Sequence, residues 1–336
     1  MGVKEVFAVP VVFADRFFMS AKSLAEISSL GGFAWADAKN PLDLADKLAN
    51  SQSVQILVSE YIRIGPPVLE RTPGLKGVIA YGAGYDHVDI DCAARRGVFV
   101  CNCRGENAQA VAELTFGLLL CLLRKIHLFD RYIRGDQWDR TESAALPEWT
   151  MGGELQGKTM GIVGLGQIGA RVARIARGFD MKVLAHDPFA QLREDVSVER
   201  TDFEELLSRA DIVTLHVPLT PATEKMIDAR TLAMMKPNAL LVNTSRGKVI
   251  DEPVLFNALK ESRIGGAALD VFASEPISGS HPLTKLENVV LSPHIGAMTR
   301  EAGERLSDAV ARQVRDILQG RPPECLVTGR SIQAEV

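Results

Sequence analysis

The sequence of 336 residues contains no C-x-x-C pair, no histidines at metal-ligand spacing beside its cysteines, and no cluster of basic residues. Its five cysteines, Cys92, Cys101, Cys103, Cys121 and Cys325, are odd in number. That argues against a disulfide framework or a metal site and points to reduced thiols in a cytoplasmic protein. A net charge of -4 with scattered Lys and Arg offers no broad attraction to phosphate polymers, so nucleic acid is not an expected partner. A membrane is not expected either. No basic region precedes an apolar run at the N-terminus, and the most apolar stretch, Leu114 to Leu123, is short and flanked by Glu113 and Arg124-Lys125, which fits a buried helix better than a span. No fixed-period repeat and no low-complexity segment interrupts the chain.

What is present is an alternation of apolar runs and helical patterns over a length too great for one core. From Lys158 onward the strand candidates are Gly161–Val163, Val183–His186, Ile212–Val217, Ala239–Asn243, Gly266–Val271 and Val289–Ser292, the signature of a parallel sheet with helical crossovers. A separate alternation in the first hundred residues, Val6–Val12, Gln55–Ser59, Gly77–Tyr81 and Val98–Cys101, implies a second, smaller α/β domain. Between them, Glu106 to Ile133 reads as one or two long apolar helices, and Asp136 to Met151, with Trp138, Pro147 and Trp149, as an extended arm. Glu301 to Leu318 has helical periodicity again. The fold class expected is α/β, with two Rossmann-like, doubly wound parallel-sheet domains.

Gly164-Leu165-Gly166-Gln167-Ile168-Gly169 follows the apolar run Met160–Val163 and opens a helical pattern from Ala170 to Phe179, and Asp187 ends the next apolar run, about 20 residues on as a dinucleotide site requires. The first glycine suits a tight turn, the second close approach of backbone to a pyrophosphate, the third close packing of helix on strand. In such sheets ligands sit at strand ends, where this sequence sets Arg246, Asp270, Glu275 and His294. A guanidinium fork holds a carboxylate through two parallel hydrogen bonds. An imidazole supplies a proton near neutral pH, and a neighbouring carboxylate favours its charged form. Arg246, Glu275 and His294 therefore read as one catalytic unit for reducing a keto group beside a bound hydride donor.

With these residues, Tyr81-Gly82-Ala83-Gly84-Tyr85-Asp86-His87-Val88-Asp89, Asn107 to Thr115 and His216-Val217-Pro218-Leu219-Thr220 complete a set of motifs that resembles the D-isomer-specific 2-hydroxyacid dehydrogenase family over nearly the whole chain. The resemblance implies that Arg246 anchors the 2-oxo acid, His294 is the acid/base, Glu275 its partner, and Asp270 a contact to the nicotinamide carboxamide. It implies backbone amides of Ala83 and Gly84, with Arg246 and His294, around the substrate. The cofactor site it implies comprises Gly164, Gly166, Gln167, Ile168, Gly169, Asp187, His216, Val217, Pro218, Thr244, Ser245, Arg246, Asp270, His294 and Gly296. It also implies a substrate domain of residues 1–103 with 299–330, an NAD-binding domain of 104–298, and a homodimer built on residues 106–150.

The carboxylate of Asp187 accepts hydrogen bonds from ribose hydroxyls and repels a 2'-phosphate, which selects NAD over NADP, with Arg193 nearby in sequence. Phosphoglycerate dehydrogenases place arginines near the substrate loop where this sequence has Ser59 and Ala80, with Arg63 off register. A phosphate dianion without paired cations is costly to desolvate, so hydroxypyruvate, glyoxylate or a related short 2-oxo acid leads and 3-phosphohydroxypyruvate follows. The chain end near Val336 is not expected to carry a regulatory domain. Two other readings share the motifs: a corepressor-type NAD-sensing binding protein, and a dehydrogenase of formate, phosphite or another unusual hydride donor.

Overall fold

The computed structural model describes residues 7–136, 138, 151–190 and 197–327. The chain divides into two compact units, one from Met1–Asn107 and Ala297–Glu335, the other from Ala108–Gly296. The first unit carries β1 (Val11–Phe13), α1 (Ala21–Ser29), β2 (Phe33–Trp35), α2 (Pro41–Leu48), β3 (Ile56–Ser59), α3 (Pro66–Leu69), β4 (Gly77–Ala80), α4 (Ile90–Arg95) and β5 (Phe99–Asn102). These five strands form one parallel sheet in the order β2-β1-β3-β4-β5. The second unit contains α5 (Ala108–Leu123), α6 (Ile126–Arg134), β6 (Thr159–Val163), α7 (Gln167–Gly178), β7 (Lys182–His186), β8 (Glu199–Arg200), α8 (Phe203–Arg209), β9 (Ile212–Leu215), α9 (Ala229–Met234), β10 (Leu240–Asn243), α10 (Glu252–Lys260), β11 (Gly266–Leu269) and β12 (Val289–Leu291). Its seven strands lie parallel in the order β12-β11-β10-β9-β6-β7-β8.

Both sheets are covered on two faces, as an all-parallel sheet must be. β3, β4, β9, β10 and β11 are buried along their whole length, which is why these segments read as unbroken apolar runs. The strand order of the second unit reverses at β6, whose neighbours are β7 and β9. A sheet of this kind leaves a crevice at the switch point, at the carboxyl ends of its strands.

The last helix, α11 (Arg300–Leu318), belongs to the first unit. Ser307 Oγ accepts from Ser20 N–H at 2.9 Å, and the Ile317 side chain fills the space where a Cβ on Gly77 would stand. The division falls after Asn107 and after Gly296, somewhat beyond residue 103 and before residue 299. Glu106 explains the first offset: its carbonyl accepts from Arg305 Nε at 2.8 Å and its carboxylate pairs with Arg312 at 3.1 Å, both on α11.

The structure settles some details that the sequence left open. The helical region from residue 106 breaks into two helices because Lys125 takes a left-handed conformation, φ 55°. β2 and β8 are strands that no apolar alternation announces: β2 is three half-buried residues and β8 two exposed ones. The expected arm, Asp136 to Met151, lies outside the described residues apart from Asp136, Trp138 and Met151. No helix among the described residues is long and apolar enough to cross a membrane.

Candidate active site

The glycine turn leaves β6 with Gly164 at φ +94°, a left-handed conformation that glycine adopts without strain. A Cβ there would also lie 2.6 Å from His216 O and 3.0 Å from Val217 Cγ1, so the turn is pressed onto the segment leaving β9. Gly169, in the first turn of α7, has Gly164 O only 2.0 Å from its Cβ position. Gly166 differs from both. Nothing lies within 4 Å of the Cβ it lacks, and as N-cap of α7 it supplies no side-chain acceptor to the opening amides. Packing therefore does not require this glycine, whereas a phosphate approaching a bare helix N-terminus does. These residues fit a dinucleotide pyrophosphate, with Gln167 exposed on the first turn and Ile168 packed against the core.

Asp187, just past β7, accepts Leu165 N–H at 2.7 Å through Oδ2, and Phe189 and Ala190 N–H at 3.0 and 2.9 Å through Oδ1. The acid thus ties the glycine turn to the exit of β7. Arg193 lies outside the described residues. His216 shares a 2.9 Å hydrogen bond between Nε2 and Thr214 Oγ1, and burial pushes its pKa down to about 3, so its ring is neutral. Pro218 O accepts the Thr223 hydroxyl at 2.6 Å, closing the following turn.

Three strand exits carry the charged set. After β10, the buried Asn243 accepts the N–H and hydroxyl of Ser245 at 3.0 and 2.8 Å and donates to Arg246 O at 2.9 Å. Thr244 Oγ1 shares a 3.0 Å hydrogen bond with Thr115 Oγ1 of α5, and Arg246 Nη1 donates to Ser245 O at 2.8 Å. Past β11, Asp270 is wholly buried. Its carboxylate accepts the Ser292 hydroxyl at 2.5 Å and the N–H groups of Ile295 and Gly296, each at 2.9 Å. Its backbone carbonyl accepts His294 N–H at 2.8 Å. Those bonds define the turn after β12 and hold His294 at φ 54°, a conformation rare outside glycine that persists where the surroundings over-determine it. The geometry thus gives the Asp270 carboxylate the work of holding the His294 turn.

Two of the exits meet in a hydrogen-bonded ion pair, with the charge of Arg246 nearby. His294 Nδ1 donates to Glu275 Oε2 at 2.7 Å, while Glu275 Oε1 accepts Phe272 N–H at 2.9 Å. Burial opposes ionisation of Glu275, but the hydrogen bonds from His294 and Phe272, and the charges of His294 and Arg246, outweigh it. The carboxyl is held below its ordinary range. Gly247, directly after Arg246, abuts the backbone of Phe272: a Cβ would stand 1.9 Å from its carbonyl carbon. Asn243, Gly247 and the turn-holding role of Asp270 are what sequence reasoning missed. The only available signals were a polar residue ending an apolar strand and a glycine following an arginine.

In the first unit, the loop after β4 has Gly82 at φ +127°. Cys103 N–H donates to Gly82 O at 2.7 Å, and Asn102 Nδ2 to Ala83 O at 2.7 Å. No hydrogen-bond acceptor for the Ala83 and Gly84 amides occurs among the described residues. Tyr81 is structural here: it is buried, stacked on Phe17, and donates its hydroxyl to Phe18 O at 2.6 Å. His87 Nε2 lies 3.2 Å from Ser59 O. Among the described residues no group of three or more His, Cys, Asp or Glu is disposed to hold a metal ion.

A uniformly parallel sheet, a phosphate-ready glycine turn at its switch point, and a histidine–carboxylate pair beside an arginine define a nicotinamide-dinucleotide dehydrogenase. Residues 116–296 match the family model described as D-isomer specific 2-hydroxyacid dehydrogenase, NAD binding domain. The chain belongs to this family, and is an oxidoreductase acting on 2-hydroxy acids with NAD(H) as cofactor. It is 41% identical over 297 residues to a glyoxylate reductase of Thermococcus litoralis, covering 87% of this chain and 89% of that one. It is 37% identical over 328 residues to a D-3-phosphoglycerate dehydrogenase of Synechocystis, covering 95% of this chain and 58% of the other. Among solved structures, D-lactate dehydrogenase from Aquifex aeolicus, complexed with NAD and lactic acid, superposes with a TM-score of 0.82 at 25% identity, covering 96% of this chain and all of that one.

Two predictions follow from the clamp on Phe272. Gly247→Ala forces the Arg246 and Glu275 segments apart, and kcat/KM is expected to fall by about 100-fold, the scale of a 1 Å misplacement; activity within threefold of the unaltered enzyme would refute the clamp. Glu275 has its folded-state pKa lowered, so the stability it contributes is complete above the ordinary carboxylate value of about 4.3 and is lost as pH falls through the lower folded value. The difference in urea stability between the unaltered protein and Glu275→Gln should therefore shrink from pH 5 to pH 3; a constant difference contradicts the assignment.

Proposed function

We propose that the enzyme is an NADH-dependent reductase of short, non-phosphorylated 2-oxo acids, with glyoxylate and hydroxypyruvate as the leading substrates. The observation that carries this reading is the His294–Glu275 pair, bonded at 2.7 Å, with Arg246 brought alongside by the Gly247 contact. Its likeness to the glyoxylate reductase of Thermococcus litoralis supports the same substrate class.

The dinucleotide, when bound, supplies or receives the hydride. Gly164, Gly166 and Gly169 with the first turn of α7 would hold its pyrophosphate, and Asp187 its ribose. His216, Val217, Pro218, Thr244, Ser245, Asp270 and Gly296 would border the rest of it. Arg246 fixes the 2-oxo acid through its guanidinium fork. Nδ1 of His294 is committed to Glu275, so Nε2 delivers the proton to the oxygen of the reducing keto group, and Glu275 steadies the charged ring. In the reverse direction Nε2 takes the proton from the hydroxyl. The carboxylate of Asp187 disfavours a 2'-phosphate.

Ser59 and Ala80 support the preference against phosphorylated acids: both are fully buried, with the Ser59 hydroxyl donating to Ile62 O at 2.8 Å. We further assign a homodimer to α6, where Ile126 and Ile133, one heptad apart, are 53% and 56% exposed. A second copy covering this face removes that apolar surface from water. All five cysteines are unpaired thiols, which suits a cytoplasmic setting.

Purified protein is expected to oxidise NADH with glyoxylate and hydroxypyruvate at least 100-fold more efficiently than with 3-phosphohydroxypyruvate, and to favour NADH over NADPH. His294→Ala should lose about 10³-fold in kcat, within the range for a positioned acid/base. Preference for the phosphorylated acid would reverse the substrate assignment, and undiminished turnover in the variant would remove His294 from the chemistry. Sedimentation at micromolar concentration should return twice the chain mass; a monomer would refute the dimer.

A further inference from the structure

A second histidine–carboxylate pair touches the loop that carries Glu275. Glu252, the first residue of α10, accepts His281 Nε2–H through Oε1 at 3.1 Å and Ala273 N–H through Oε2 at 3.1 Å. The two side chains are only 17% and 22% exposed. Phe272 N–H, one peptide earlier, is the group that binds Glu275 Oε1. Two consecutive amides of one loop are therefore held by two carboxylates, and the carbonyl between them rests against Gly247.

His281 Nδ1 is buried without a hydrogen-bond partner among the described residues. The tautomer these surroundings satisfy carries its proton on Nε2, donated to Glu252. His281 also meets Phe272 edge-on, with ring centroids 6.4 Å apart, and its backbone carbonyl accepts Thr284 N–H at 3.0 Å. The imidazole is thus a fixed donor that aims the Glu252 carboxylate at Ala273.

We propose that Glu252, oriented by His281, is a positioning residue for the hydride-transfer reaction: it fixes the Phe272–Ala273 segment so that Glu275 meets His294 at bonding distance. Without the carboxylate, Ala273 N–H is left without its acceptor. The loop then seeks water, Phe272 N–H moves with it, and Glu275 loses the bond at Oε1 that steadies the carboxylate whose Oε2 receives His294 Nδ1–H. Glu252 is assigned no direct part in the chemistry and acts through the loop it holds. The proposal rests on the roles given above to Glu275 and His294.

The test compares Glu252→Ala, Glu252→Gln and Glu252→Asp in the full chain. Two readouts are used: steady-state reduction of the best 2-oxo acid, and the low-field proton resonance of His294 Nδ1–H in cofactor-free protein, assigned with His294→Ala. Glu252→Ala should lower kcat about tenfold with KM for NADH within twofold, and should broaden or abolish the resonance. Glu252→Gln keeps an acceptor for Ala273 and should recover most of both losses. Should Glu252→Ala fail to fold, Glu252→Asp withdraws the carboxylate by one methylene and should show the same direction of change.

Unaltered kcat and resonance in Glu252→Ala or Glu252→Asp, with only a lowered Tm, would overturn the proposal in favour of a purely structural role. Equal losses in the Gln and Ala variants would overturn it too, since charge rather than the Ala273 bond would then matter. The resonance is independent of turnover. Failure of the reaction assignment, seen as activity surviving in His294→Ala, is thereby distinguished from failure of the Glu252 assignment.

Discussion

The chemistry of the second unit depends on one close approach of backbone to backbone. Gly247 presses against the carbonyl of Phe272, at a separation that leaves no room for even a methyl group. One segment follows Arg246 and the other leads to Glu275, so this contact constrains how the Arg246 and Glu275 segments lie relative to each other. Neighbouring parallel strands β10 and β11 end side by side in register, Asn243 opposite Leu269. The glycine lets the segments beyond those ends stay adjacent when each has left the sheet.

Buried polar groups maintain what the glycine permits. Asn243 and Asp270 are both fully buried, and both spend their oxygens on backbone or hydroxyl donors of the loops they precede or face. A buried polar atom without a partner is costly, so each such bond resists rearrangement of its loop. This explains how His294 is kept in a left-handed backbone conformation, and how a carboxyl that burial would neutralise stays ionised at Glu275. The same logic extends to Asp187, whose oxygens bind Leu165 as well as its own loop. The glycine turn and Asp187 are therefore tied into one piece.

Much of this was legible in the order of residues. The strands of both sheets are buried on two faces, so they read as apolar runs, and most lie within one or two residues of the expected limits. The exceptions have a physical basis: β2 is three apolar residues, too short to establish a pattern, and β8 is two exposed charged ones. The break between α5 and α6 at Lys125 depends on a backbone conformation that neighbouring residue types do not encode. Tyr81 and His87 stand in the substrate-loop motif, yet the Tyr81 hydroxyl is spent on Phe18 O, 63 positions away in the chain, a contact no local spacing reveals.

The sequence by itself determined the chemical cast: a glycine turn between strand and helix, an acid after the next strand, and Arg246, Glu275 and His294 each just past a strand end. These are local signals, because a turn's glycines and a residue's place after an apolar run are fixed by neighbours in the chain. The tertiary structure decided which of those residues meet. Glu275 and His294 are 19 positions apart and bonded at 2.7 Å, and Glu252 reaches a loop 21 positions onward. Such contacts arise only when parallel strands bring their carboxyl ends together and buried polar groups of one loop find partners on the next.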